Sequence, residues 1–412
     1  MRILFFTGVS PYSTQTVGGA EISIRLLAEQ LNKRGHEVTY LTRNRSITPY
    51  PLIRQTNLEG INLIVLHTLI GSNYIKQIKT LNNWLLTRYL HKLIHRYGVD
   101  IIYCFYDLDF LNNLLNLKSQ GLKIKIVMRM AGMQWYEECL KDPSKIKIYE
   151  NIFNNIDCVN FLHSGLECMV FSKFHELGMN IVLKSSFVGD IGSSASIGRK
   201  LDYPDLNNPQ FRVVMATRFS SYQKRQDILV KAISLIDKRI PIEVRLIGDG
   251  SERERILRMI KDLNLEDRIH IHPFVEQKTL WKELESADLL CHACEYEGVS
   301  KIILESMALG LPVLVSNVAP VNEYIEDNEN GFLVDNRPQD WADKLVSLYH
   351  NKEARVRVSK NGTTFIKEHY DPQKNVIQYE KVFRQILGLH QDLRRSVNSK
   401  EQSLDYHEMN KS

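Results

Sequence analysis

Short apolar runs alternate with stretches in which apolar residues recur at helical spacing, along nearly the whole chain. The short runs predict buried strands and the periodic stretches predict amphipathic helices. Such alternation is typical of parallel sheets in α/β proteins. Helices are expected at residues 20–33, 226–236, 252–263, 280–285 and 301–309. Strands are expected at residues 3–7, 38–42, 63–66, 101–105, 124–128, 158–162, 212–216, 243–247, 269–272, 289–292 and 313–316.

The strand–helix pattern is interrupted once, at residues 185–209, by a polar stretch rich in Gly, Ser, Asn and Pro. Such a stretch is typical of an interdomain linker. The chain has 412 residues, and a single hydrophobic core stops growing below that size. We therefore predict an N-terminal domain at 1–186, a linker at 187–209 and a C-terminal domain at 210–370. A C-terminal helix at 371–389 is expected to return to the first domain, before a polar tail at 390–412.

The composition, with 43% hydrophobic and 25% charged residues, is typical of a soluble globular protein. The sequence has no run of about 18 apolar residues, so no membrane-spanning helix is expected. The apolar start of the chain is too short for a signal peptide, so we expect a cytoplasmic protein. Six sparse cysteines indicate reduced thiols. Cys291 and Cys294 form a C-x-x-C pair without a matching second pair, so we interpret them as part of a buried strand and not as zinc ligands.

The net charge of +5 is mild, but its distribution is uneven. Between Glu59 and Asp100 there is no acidic residue, whereas basic and apolar residues alternate at helical spacing over 75–96. A basic amphipathic helix of this kind can lie on an anionic membrane surface. Two interpretations stay open: peripheral contact with the inner face of the membrane through 75–96, or a solvated outer helix.

The segment 295–305 contains the residues most indicative of chemistry. A predicted strand ends near Cys294, a turn contains Gly298, and a predicted helix begins close to Ser300. Backbone N–H groups at a helix start suit an anion such as a diphosphate, and Gly298 would let a ligand approach the main chain. Glu297 and Glu305 are more than a helical turn apart, so each is expected to hold its own hydroxyl-bearing group.

Glu297 and Glu305 form an E-x7-E motif, which an A-x-G-x-P run follows at 308–312. Together they resemble the signature of the retaining glycosyltransferases of family four, over nearly the whole chain and most strongly over 212–334. The resemblance implies the α/β fold called GT-B, in which two facing Rossmann-like domains leave a cleft between them. It also implies transfer of a sugar from a nucleoside diphosphate sugar to a glycan or lipid-linked acceptor. No separate cofactor, metal or nucleic acid is expected.

The same resemblance implies a role for each motif residue. In the motif 216–227, Arg218 and Lys224 would hold the donor diphosphate through charge-assisted hydrogen bonds. Glu297 would hold the transferred sugar and Glu305 the ribose; we count Arg218, Lys224 and Glu297 as catalytic. The remaining donor-binding residues implied are Gly19 in the first domain and Gly248, Phe274, Val275, Gly298, Val299, Ser300 and Lys301 in the second.

Two features depart from the pattern or compete with it. Many relatives have a His where this chain has Ala131, so we consider Arg129 as a substitute donor. Asp107 and Asp109 match the D-x-D of metal-dependent glycosyltransferases, but their position favours helix capping.

Two other functions compete with glycosyl transfer. A sugar-nucleotide-binding protein without turnover is the main alternative, because the usual His is absent. The G-x-G at 248–250 lacks the rest of the G-x-x-G spacing, which disfavours an NAD-dependent oxidoreductase.

Overall fold

The structure, a computed structural model, describes residues 1–12, 18–48, 52–69, 76–195, 210–220 and 223–389. Two sheets organise these residues, each with helices on both faces. Residues 196–209 of the predicted linker, residue 75 of the predicted basic helix and the tail 390–412 lie outside the described residues.

The first sheet has eight strands in the order β3-β4-β2-β1-β5-β6-β7-β8. All neighbours pair in parallel except β3, an edge strand that is antiparallel to β4. The strands are Arg2–Thr7 (β1), Glu37–Thr48 (β2), Leu52–Leu58 (β3), Ile61–Leu69 (β4), Ile101–Phe105 (β5), Lys125–Met130 (β6), Cys158–Phe161 (β7) and Ser186–Val188 (β8).

The helices of the first half connect successive parallel strands and cover both faces of the sheet. Helix α1 begins after Gly18 and buries Ile24, Leu27 and Leu31 against one face. The other helices contribute to the opposite face. The six are Gly19–Lys33 (α1), Lys76–Tyr97 (α2), Leu108–Ser119 (α3), Gln134–Lys141 (α4), Lys145–Asn155 (α5) and Ser164–Glu176 (α6).

The second sheet has six parallel strands in the order β11-β10-β9-β12-β13-β14. They are Phe211–Ala216 (β9), Ile242–Ile247 (β10), Ile269–His272 (β11), Leu289–His292 (β12), Val313–Ser316 (β13) and Phe332–Val334 (β14). Its helices are Gln226–Leu235 (α7), Arg253–Asp262 (α8), Gln277–Ser286 (α9), Lys301–Ala308 (α10), Val321–Tyr324 (α11), Pro338–His350 (α12) and Lys352–His369 (α13).

The last helix, Pro372–Ile386 (α14), lies against the first domain. Its buried residues Val376, Tyr379 and Phe383 share a core with α1. The Tyr379 hydroxyl donates to the carbonyl oxygen of Gly189 at 2.9 Å. Apolar burial at a spacing of three and four residues therefore ties the end of the chain back to its first half.

The start of the predicted linker is part of the first domain, which corrects the predicted boundary. Strand β8 extends to Val188, and Ile191 is fully buried in the core shared by α1 and α14. Gly192 has a φ of +97°, and a Cβ there would lie 1.9 Å from the Tyr370 carbonyl oxygen. Gly192 therefore allows the two backbone segments to approach closely. The sequence pattern alone does not distinguish a glycine of this kind from one in a flexible linker.

Candidate active site

The candidate site lies where the second sheet changes winding direction. Strands β9 and β12 are neighbours, but the strand that follows β9 and the strand that follows β12 lie on opposite sides of this pair. Ligands of open α/β sheets bind at the carboxyl ends of such strands. The segment after β9 carries Arg218 and Lys224, and the segment after β12 carries Glu297 and Gly298. The fold thus brings two sequence-predicted motifs together, and Lys224 and Glu297 within them are 73 residues apart along the chain.

Lys224 and Glu297 are in direct contact through Nζ and Oε2, and both side chains are largely buried. Main-chain bonds fix this approach, because Glu295 N–H donates to the Gln223 carbonyl at 3.0 Å and Arg225 N–H donates to the Ala293 carbonyl at 3.0 Å. Burial lowers the pKa of Lys224 from 10.5 to about 8. An ammonium held in this way is placed to meet a diphosphate.

Arg218 is exposed on the same edge, and its guanidinium forms no ion pair with any of the described residues. Its backbone is held by Gln226, whose Nε2 donates to the Arg218 carbonyl at 3.0 Å and to Thr217 Oγ1 at 2.9 Å. The guanidinium is thereby left available for a ligand. Arg225 instead pairs with Asp227 and Glu295.

Helix α10 begins at Lys301, next to Glu297, as the sequence predicts. Ser300 is its N-cap residue, and the Ser300 N–H donates to the Tyr324 hydroxyl at 3.3 Å. The Val299 side chain is buried in the core. The N–H groups of the first turn have no acceptor within the helix. An anion at this helix start would therefore be met by main-chain donors beyond Ser300.

Glu305 lies just over one turn into α10 and is almost fully buried. Burial raises its pKa. Gln277 Nε2, at the start of α9, donates to Glu305 Oε1 at 2.8 Å. The same amide accepts, through Oε1, from Nη2 of Arg25 on helix α1 of the first domain, at 3.3 Å. Hydrogen bonds therefore connect Arg25 of the first domain, through Gln277, to Glu305, the residue predicted to bind the ribose.

Lys301 is the second point at which the two domains meet. Its Nζ is paired with the carboxylate of Asp190 and donates to the Gly192 carbonyl at 2.9 Å. A Cβ on Gly19 would lie 3.1 Å from Lys301 Cγ, so Gly19 permits close contact. The Lys301 side chain is thus engaged with the first domain, and only its main chain remains for a donor.

Arg129, considered from the sequence as a substitute for the His of many relatives, is buried and bound to another residue. Its side chain is 1% exposed, and its Nη2 donates to Asp190 Oδ2 at 3.1 Å. Asp190 therefore carries two buried cations, one from each domain. Ala131 itself stands at the cleft, with its carbonyl oxygen 3.6 Å from the position of a Cβ on Gly298.

The remaining predicted contacts lie on loops around the same edge. Gly248 has a φ of +143°, and a Cβ there would lie 2.2 Å from the Thr217 carbonyl oxygen. The glycine therefore lets the β10 loop pack on the Arg218 segment. Phe274 is 43% exposed and Val275 is half-buried, after β11. Val275 packs against the core cluster that contains Val299 and Ile303.

Asp107 of the D-x-D pair caps a helix, as predicted. Asp107 is the N-cap of α3, and its Oδ1 accepts from the Phe110 N–H at 2.9 Å. No group of three or more His, Cys, Asp and Glu side chains suited to a metal occurs in the described parts of the chain. Cys291 and Cys294 are buried free thiols.

The chain matches two family models, which together span most of its length. Residues 202–365 match glycosyl transferases group 1, and residues 17–159 match Glycosyltransferase Family 4. It is 23% identical over 386 residues to N-acetyl-alpha-D-glucosaminyl L-malate synthase of Bacillus anthracis, covering 92% of this chain and 97% of that protein. It is 28% identical over 163 residues to poly(ribitol-phosphate) alpha-N-acetylglucosaminyltransferase of Staphylococcus aureus, covering 39% and 33% of the two chains.

Solved structures show the same fold. Sucrose-phosphate synthase of Thermosynechococcus elongatus superimposes with a TM-score of 0.76 at 19% identity, covering 94% of this chain and 100% of that one. Anabaena HepE, solved with UDP and glucose, has a TM-score of 0.68 at 17% identity and covers 93% and 100%. The fold is therefore GT-B, and the two family models identify the protein as a glycosyltransferase. It belongs to glycosyltransferase family four.

We expect the charge of Lys224 to make nucleotide affinity dependent on pH. A terminal phosphate has its second pKa near 6, so it is fully ionised well before Lys224 loses its proton at about pH 8. Raising the pH through that pKa removes the ammonium from the free protein. We expect the Kd for UDP or GDP, whichever binds, to rise roughly tenfold from about pH 7 to about pH 9.5, by calorimetry. A Lys224→Arg variant stays charged and should lose this dependence; a wild-type Kd that is flat over the range would contradict it.

Proposed function

We propose that this protein transfers a sugar, with retention at the anomeric carbon and without a metal, from a UDP- or GDP-linked donor to an acceptor hydroxyl. The contact of Lys224 with Glu297 at the switch point is the observation that supports this most. A cation suited to a phosphate would then lie beside a carboxylate suited to sugar hydroxyls. Two structural neighbours were solved with UDP and glucose or with UDP-2-fluoro glucose, which favours a nucleoside diphosphate sugar here.

In the reaction, the bond from the anomeric carbon to the diphosphate breaks and a bond to the acceptor oxygen forms on the same face. The departing diphosphate gains charge, which Arg218, Lys224 and the main-chain donors of α10 would stabilise. By analogy with oxyanion donors, each is worth about 3 kcal/mol in the barrier. The acceptor proton passes to a departing phosphate oxygen. No side chain is required as a dedicated base.

The acceptor is proposed to be a glycan or lipid-linked molecule of cell-surface polysaccharide synthesis. It would bind on the side of the cleft that the first domain forms. Relatives are named for acceptors as different as malate and poly(ribitol-phosphate). The acceptor side therefore varies within the family, while the residues around Glu297 define the donor side.

Turnover of a donor panel tests the proposal. The protein is incubated with UDP-glucose, UDP-N-acetylglucosamine, GDP-mannose and ADP-glucose in EDTA, with water or short glycans as acceptors. We expect release of one nucleoside diphosphate, and proton NMR of the first sugar product should show the anomeric configuration of the donor. An inverted product would refute retention. Nucleotide binding without release from any donor would favour the sugar-nucleotide-binding alternative.

We also propose that helix α2 rests on the anionic inner face of the membrane. Its buried side, with Leu86, Leu90 and Leu93, packs on the first core. Its other side exposes Trp84, with the guanidinium of Arg88 4.9 Å from the centre of the indole ring. Aromatic and basic side chains on one face suit a headgroup interface. None of the described helices is long and apolar enough to cross a membrane.

Removing basic side chains from α2 is expected to weaken vesicle binding. Each Lys or Arg near an anionic surface contributes about 1 kcal/mol, so three replacements by Gln should weaken binding roughly 100-fold. The measurement is sedimentation with phosphatidylserine-containing vesicles, for the variant changed at Arg88, Lys92 and Arg96. Lys76 and Lys79 belong to the same predicted basic face, but the placement of their side chains lies outside what the structure describes. Unchanged sedimentation would refute membrane contact through α2. The matched control replaces three exposed cations of the second domain, namely Arg258, Lys261 and Lys278.

A further inference from the structure

His292 is the last residue of β12, and its side chain is 1% exposed. From the sequence it is only the end of a buried strand. In the structure its Nε2 lies 2.9 Å from Glu297 Oε2 and 3.3 Å from Lys224 Nζ. A buried imidazole therefore touches both members of the pair on which the proposed function rests.

The chemistry of the ammonium, the carboxylate and the imidazole determines which group can donate to Glu297. An ammonium only donates and a carboxylate only accepts, whereas a neutral imidazole nitrogen does one or the other. Burial and the charge of Lys224 lower the pKa of His292 well below its usual value, so the ring is neutral. The shorter contact, at 2.9 Å, joins Nε2 to Glu297. A hydrogen bond at this contact requires the tautomer in which Nε2–H donates to Glu297 and Nδ1 is unprotonated.

Two donors thus hold the Glu297 carboxylate before any ligand arrives. Lys224 has a long flexible side chain, and a diphosphate at the site would draw its ammonium away from Glu297. His292 cannot follow, because β12 pairs with β13 at this position, His292 opposite Val315. The imidazole would then be the donor that remains on Glu297.

We propose that His292 is a positioning residue of the donor site, which keeps the Glu297 carboxylate directed at the transferred sugar after Lys224 has turned to the diphosphate. The inference rests on the proposed function and adds a residue to it. It makes a specific distinction: His292 acts on recognition of the sugar and leaves recognition of the nucleotide to Arg218, Lys224 and Glu305.

The test compares two side chains of nearly equal size. Gln at 292 can offer an N–H close to the place of Nε2, while Met cannot. For wild type, His292→Gln and His292→Met, calorimetry measures the Kd of UDP against that of UDP-glucose, UDP-N-acetylglucosamine or, with GDP, GDP-mannose, whichever sugar nucleotide wild type binds. Turnover of the same donor and the thermal midpoint are recorded beside it.

For His292→Met we expect the Kd of the nucleoside diphosphate to stay within about twofold of wild type. The advantage of the sugar nucleotide in affinity or kcat/KM should fall roughly 10- to 100-fold, the loss of one hydrogen bond to a charged group. His292→Gln should recover most of that loss.

Three results would overturn the inference: a His292→Met protein with the wild-type advantage, equal losses in the Gln and Met variants, or wild type that binds the sugar nucleotide no better than the diphosphate. A normal affinity advantage in wild type without any turnover would count against the proposed transfer reaction instead. In that case the affinity comparison alone still decides the role of His292.

Discussion

Replacing Lys224 with Met is expected to reduce sugar transfer roughly 100- to 1,000-fold, the loss associated with one donor to a developing anion. The ammonium contacts Glu297 in the free protein and is largely buried. Met preserves most of the aliphatic stem, so packing around it changes little. The measurement is kcat/KM for the donor identified by the turnover panel.

The matched control is Lys231→Met, which removes an exposed cation from α7. It should retain wild-type kcat/KM, since Lys231 is remote from the edge where the loops after β9 and β12 meet. Comparable losses in the two variants would mean that general charge, and not the position of Lys224, supports the reaction. A Lys224→Met protein with wild-type activity would remove Lys224 from the mechanism.

Asp190→Asn is expected to lower both stability and turnover. Asp190 is fully buried and binds Arg129 of the first domain and Lys301 of the second. Removing its charge leaves two buried cations without a counterion, which costs about 3–5 kcal/mol. Because Lys301 begins α10, its displacement would also misplace the Glu297 segment, and a shift of about 1 Å can lower a rate roughly 100-fold. Thermal denaturation and kcat/KM measure the two effects.

Asp157→Asn provides the comparison. Asp157 is also buried, pairs with Lys118 and Lys125, and accepts from the Ile126 N–H at 3.0 Å. It directly precedes β7, so it lies at the amino-terminal ends of the strands, whereas the cleft lies at their carboxyl ends. We expect it to lower the thermal midpoint but to leave kcat/KM near wild type. If Asp190→Asn lost stability alone, as Asp157→Asn should, the interdomain ion pair would have no part in the site.

Most parallel strands of both domains follow from the sequence because their burial on both faces leaves continuous apolar runs, as in 101–105 and 313–316. The three-residue strands β8 and β14 are too short to give such a run and are not predicted. Strand β3 escapes the same analysis. It is an edge strand whose described residues are exposed, with Arg54, Gln55 and Thr56 in its middle. Its structure comes from pairing with β4, which no apolar periodicity announces.

The candidate site also contains residues that the sequence predicts and residues that it does not. Arg218, Lys224, Glu297 and Glu305 are recognisable because short motifs place them at strand ends and helix starts. Asp190 and Gln277 are not, since each acts on a motif residue through a contact from a distant segment. Asp190 also lies in a Gly- and Ser-rich stretch that resembles a linker. His292 is five residues from Glu297, yet its apolar neighbours in the strand conceal it.

Calorimetric titration in EDTA with UDP, GDP, ADP and NAD, for wild type and Lys224→Met, tests the assignment of the donor site most directly. We predict that wild type binds one nucleoside diphosphate, UDP or GDP, that it does not bind NAD, and that Lys224→Met loses most of this affinity. The binding base would also identify which sugar nucleotides to assay. Absence of nucleotide binding, or binding that is indifferent to Lys224, would contradict the assignment of the donor site to the loops after β9 and β12.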